Sequence, residues 1–242
     1  MSRYERFALI LDPAGGQLGL EALGLIERGI DPLYAKAVDE AVLLAEDDDR
    51  VGALVLPGSL PVEALDEALA RIAPLLWAGA SAVVLVAPPR ERARMRELRD
   101  RGIRWVVHDP YEAAELRFAV AAALATEDDL DPRAGLRVPI RLAAIVREGV
   151  ATREACIRNA SLGGAYLALA DPPAVGARVA LEFALAERPL AAAGRVAHRL
   201  AEPLPGRAER EPGFGIAFEP LPEPERRLLE EFLRERVNSF RL

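Results

Sequence analysis

The sequence predicts two domains of different fold class: a doubly wound parallel α/β sheet, then a six-stranded antiparallel β-barrel with a terminal helix. Three observations predict it. In residues 1–125, short runs that are apolar on both faces alternate with longer segments of helical spacing. Beyond residue 132 the apolar period falls close to two, as in half-buried strands. Between them ATEDDLDP is acidic, polar and closed by a proline, which reads as a linker at 126–132. The expected domains are therefore 1–125 and 133–242.

In the first domain the apolar runs 7–11, 51–56, 82–86 and 105–107 are the buried strands, and 32–37 is a further one. Helical spacing fills 18–28, 38–45, 62–76, 90–101 and 111–125. Pro57, Pro88 and Pro110 punctuate strand ends. Strand and helix alternating in this way give a parallel sheet with right-handed crossovers. In the second domain the strands are 138–147, 154–158, 165–169, 178–185, 190–200 and 213–218, most of them separated by Gly and Pro clusters. Six short strands close most simply into a small barrel. Leu228, Leu229, Phe232, Leu233 and Val237 share one face of the last helix, which that face seats on the barrel.

The chain has 242 residues, 51% hydrophobic and 29% charged, with a net charge of −7. That length is enough for two separate cores. The acidic balance argues against direct nucleic-acid binding, which needs a basic surplus. The single cysteine, Cys156, leaves no internal disulfide and reads as a small buried hydrophobe. MSRYERFALILDP lacks the pattern of a signal peptide, and no apolar run reaches the ~20 residues that span a bilayer. The expectation is a cytoplasmic protein without membrane insertion.

Two segments carry candidate chemistry. Arg133, Arg137 and Arg141 recur every fourth residue where the linker enters the first barrel strand. A guanidinium is a planar fork of donors that fits a phosphate or the O6 and N7 of guanine, and its flat face stacks on a base. RNASLGGAYL, about 25 residues on, brings the two-way amide of Asn159, the Ser161 hydroxyl, and Gly163 and Gly164, which allow positive φ and close backbone approach. Together they suit a guanine nucleotide. Taken singly, the arginines could be solvated charges balancing Glu127 to Asp131, and the glycines could merely form a hairpin.

Arg133-x-x-x-Arg137 followed by Asn159-x-Ser161-x-x-Gly164 resembles the paired signature of PilZ domains, and LRVPIRLAAIV, GRVAHRL and GFGIAFEPL resemble strands of that family. The resemblance covers residues 130–240. It implies a binding module for cyclic di-GMP, not an enzyme, and no cofactor. Arg133 and Arg137 would hold phosphates and guanine faces, Asn159 and Ser161 would fix a guanine, and Gly164 would permit the turn. Arg137-x-x-x-Arg141 also fits the first motif. The pair 133/137 is preferred because it precedes the strand, with Arg141 and Gly163 as secondary candidates. Pro132 stands where a further arginine is common in the family.

The first domain resembles a response-regulator receiver, without its chemistry. The first strand ends in one carboxylate, Asp12. The third ends Leu56-Pro57-Gly58 with no phosphoacceptor, and the fifth ends in His108 instead of Lys. Without a carboxylate cluster no Mg²⁺ site is expected, and the domain reads as a docking or homodimerisation surface. The loop 12–19 misses a dinucleotide fingerprint at Ala14. The sequence reading is thus a cyclic di-GMP effector. Ligand would order the Arg133–Arg137 segment and alter inter-domain geometry or docking to a protein partner. The alternative is a ligand-independent docking module with relic motifs.

Overall fold

The computed structural model describes residues 7–15, 17–26, 30–86, 92–125, 127–131, 135–201 and 211–242. The chain forms two compact units: Met1–Thr126 together with Ser239–Leu242, and Glu127–Asn238. The last four residues, which follow the terminal helix, therefore pack with the first unit.

In the first unit, β1 (Phe7–Leu11), β2 (Asp31–Ala35), β3 (Val51–Pro57), β4 (Val83–Val86) and β5 (Trp105–Val107) form a parallel sheet in the order β2-β1-β3-β4-β5. This is the doubly wound order found in receiver domains. The connecting helices are α1 (Gln17–Ile26), α2 (Val38–Asp47), α3 (Val62–Ile72), α4 (Arg92–Asp100) and α5 (Ala113–Ala123). All of β4 and β5 and most of β1 and β3 are buried, which is why these runs carry no polar alternation. Leu9, Leu54, Leu56 and Leu85 meet Leu65, Ile72 and Leu98 in one core. The helix expected over 62–76 ends at Ile72, and Pro74 sits in a 3₁₀ turn at Ala73–Leu75. A capping box formed by Glu112 and Glu115 starts α5.

The edge strand β5 is not left open. Arg241 bridges Trp105 in antiparallel fashion, Val106 donates to the Phe240 carbonyl at 2.8 Å, and Leu242 donates to that of Arg104 at 2.9 Å. Phe240 is buried against Phe118, with ring centroids 4.9 Å apart. The sequence reading placed these residues with the barrel. They instead satisfy a row of backbone groups that an edge strand would expose.

In the second unit, β6 (Val138–Glu148), β7 (Ala151–Ser161), β8 (Gly164–Ala168), β9 (Arg178–Leu185), β10 (Arg188–Leu200) and β11 (Gly213–Phe218) close into a barrel in the order β10-β11-β8-β7-β6-β9. Val146, Leu167, Leu181, Phe214 and Ile216 fill it. The helix α6 (Glu223–Asn238) buries Leu229, Leu233 and Val237, and Arg236 donates to the Pro139 carbonyl at 3.0 Å. The expected linker includes a 3₁₀ turn at Glu127–Leu130. Among the described residues no helix is long and apolar enough to cross a membrane.

Candidate functional site

The two motifs meet because β6 and β7 are antiparallel neighbours. Pro139 pairs with Asn159 and Val138 with Ala160, so the residue entering β6 lies beside the far end of β7. Arg137 stands there, exposed, and its Nη1 donates to Asn159 Oδ1 over 3.4 Å, 22 residues apart in sequence. That separation is at the weak end for a hydrogen bond, but it places a cation and a two-way amide side by side on the outside of the barrel. Arg141 lies within β6 and is exposed. Arg133 lies outside the described residues, so its part in the pair is an expectation carried forward.

The hairpin differs from the sequence reading. β7 runs on to Ser161, so Asn159 and Ser161 belong to the strand, and only Leu162 and Gly163 form the turn. Neither Gly163 nor Gly164 has positive φ. Gly164 is required for another reason: a Cβ there would lie 2.2 Å from the Ile216 carbonyl oxygen on the neighbouring strand β11. The left-handed glycine near the site is Gly135, at φ +83°, between the two arginines of the first motif. Ser161 is buried, and its hydroxyl donates to the Gly164 carbonyl at 3.3 Å, which closes the hairpin.

The PilZ domain family matches residues 131–235. The barrel unit is a PilZ domain. Similar solved structures include the inhibitor of motility MotI/DgrA of Bacillus subtilis, 19% identical with a TM-score of 0.37, covering 43% of this chain and 51% of that one. Another is PlzA of Borreliella burgdorferi in complex with c-di-GMP, 17% identical with a TM-score of 0.31, covering 52% and 50%. For the sheet unit, the chemotaxis protein CheY4 of Vibrio cholerae is 15% identical with a TM-score of 0.37, covering 46% and 92%. The chain spans about half the length of MotI/DgrA and PlzA. No curated protein matches it.

On the outer face of the PilZ domain, sequence reasoning missed three residues. Tyr166 pairs with Asn159 on the neighbouring strand and donates to the Glu211 carbonyl at 2.8 Å. Its ring is near-parallel to that of His198, with centroids 6.1 Å apart. His198 lies over Gly215, where a Cβ would come within 2.0 Å of its Cε1. Both Tyr166 and Arg158 stand inside RNASLGGAYL. The signal that could have found Tyr166 is strand alternation extended through the supposed turn, whereas Arg158 sits where the register between β7 and β8 shifts and alternation fails. Cys156, expected to be buried, is half-buried in β7.

The receiver-like unit keeps one carboxylate at the carboxyl end of β1, beside the point where strand order reverses. Asp12 is buried. It accepts from the Tyr34 hydroxyl at 3.2 Å and from the Gly15 backbone at 3.2 Å. Burial, then the neighbouring Asp12 carboxylate, pushes the Tyr34 phenol above its ordinary range. Asp12 thus ties the β1–α1 loop to β2. Among the described residues no group of three His, Cys, Asp or Glu is placed to hold a metal ion.

Proposed function

We propose that the protein is a cyclic di-GMP effector. Its PilZ domain binds the dinucleotide with Arg133 and Arg137 on the phosphates and guanine faces and Asn159 on a guanine edge. The observation that carries the reading is the meeting of Arg137 and Asn159 at the start of β6. It joins an anion-binding fork to a base-reading amide in one exposed patch, within a domain of the PilZ family. Ser161 and Gly164 act beneath that patch, one closing the hairpin and the other letting β8 approach β11. Arg141, within β6, and Gly163, in the turn, are secondary contacts.

Ligand engages the segment from Arg133 to Arg137 and so changes how the two units or a protein partner engage. The receiver-like unit supplies the docking or homodimerisation surface. The chain performs no catalysis in this role, as befits a binding module.

Calorimetric titration of cyclic di-GMP into the full chain tests the reading. Binding at micromolar concentration or tighter is expected, reduced at least tenfold in Arg137→Ala, since losing one charge-assisted contact costs about 1.5–3 kcal/mol. Absence of heat from the wild-type chain would overturn it.

A further inference from the structure

The register between β7 and β8 passes from Ile157 opposite Leu167 to Asn159 opposite Tyr166, so Arg158 has no partner on β8. This is a β-bulge, a device that re-aims side chains. Burial follows it: Ile157 and Ala160 are buried, while Arg158 and Asn159 between them are both half-buried. Two consecutive side chains therefore leave the barrel interior together, and Arg158 stands next to the amide that reads the guanine edge. Its guanidinium is held as a fork by Glu211, with Nε to Oε2 at 2.9 Å and Nη2 to Oε1 at 2.6 Å. Tyr166, opposite Asn159, binds the backbone carbonyl of the same Glu211 at 2.8 Å.

A carboxylate held bidentately shows the guanidinium the same two oxygens that a phosphate does. The Arg158 side chain is 24% exposed and that of Glu211 51%, so the acid is the more solvent-accessible partner of the pair. We propose that Arg158 is a third arginine of the dinucleotide site and that Glu211 competes with a ligand phosphate for it, setting the affinity. This rests on the cyclic di-GMP reading above. An anionic ligand meets two opposing effects in Glu211: like charge, and prior occupation of a donor fork.

The test is a double-mutant cycle read by calorimetry of cyclic di-GMP binding to the full chain: wild type, Glu211→Gln, Arg158→Ala and both together. Glu211→Gln keeps an acceptor for Arg158 but removes the charge, and is expected to tighten binding about fivefold, the upper range of an exposed ion pair. Arg158→Ala is expected to weaken it about tenfold. In the Arg158→Ala background Glu211→Gln should tighten binding by clearly less, because only the like-charge effect is left there. Equal tightening in both backgrounds would mean a general charge effect and overturn the inference. So would wild-type binding that Glu211→Gln leaves unchanged or weakens, with the cyclic di-GMP reading intact. No uptake by the wild-type chain would sink the cyclic di-GMP reading and this inference with it.

Discussion

Gly164 shows how a motif residue can be right for a reason other than the expected one. A turn glycine is replaceable wherever φ is negative, and φ at Gly164 is not positive. What forbids a side chain there is the Ile216 carbonyl oxygen, 2.2 Å from where a Cβ would sit. Gly164→Ala must push β8 from β11 and is expected to destabilise the barrel by about 1–3 kcal/mol, the range for overpacking a tight interior. Denaturant unfolding followed by far-UV circular dichroism reads this directly, and an unchanged midpoint would show that the strands yield freely. Arg137 and Asn159 were visible in the sequence as residue types suited to an anion and a base edge. Their 3.4 Å approach was implied only by the pairing of β6 with β7. Arg158 stayed hidden because a bulge breaks the alternation by which outward residues are counted.

At the scale of elements, the tail after α6 is the clearest case. Ser239–Leu242 packs with the sheet unit, backbone-bonded to β5 and anchored by Phe240 on Phe118. Phe240→Ala opens a cavity and is expected to cost that unit about 3–4 kcal/mol. Both tryptophans, Trp77 and Trp105, lie in it, so tryptophan fluorescence follows its unfolding alone. The barrel transition, read by circular dichroism, should keep its midpoint. A shift of both transitions by the same amount would show that Phe240 does not act on the sheet unit alone. Strands and helices were legible in the sequence because each carries its own period. A four-residue segment has too few residues to show one, and its partner lies more than a hundred residues away.

For the whole molecule, the chain passes between its units twice, at 126–127 and at 238–239. The barrel unit is thus spliced into the sheet unit's sequence and is not a simple C-terminal appendage. If cyclic di-GMP engages the segment that leads into β6, saturating ligand should slow tryptic cleavage after Arg133 and Arg137 in the full chain. Cleavage unchanged at saturation would rule out engagement of that segment as a switch while leaving binding elsewhere in the site standing. An acidic chain with a local arginine cluster also predicts that ligand capture weakens with salt, because the attraction is local and screened over about 8–10 Å.

The sequence by itself determined the two fold classes and supplied the two short motifs from which the candidate ligand is proposed. Each of these is a local property: a period of burial, or donors at fixed spacing. The tertiary structure decided which of those donors share a surface, why Gly164 must lack a side chain, how Glu211 comes to grip Arg158 across 53 residues, and where the last four residues belong. Such facts depend on register and closure between distant strands. A one-residue bulge or a returning tail changes them without leaving a mark in the local pattern.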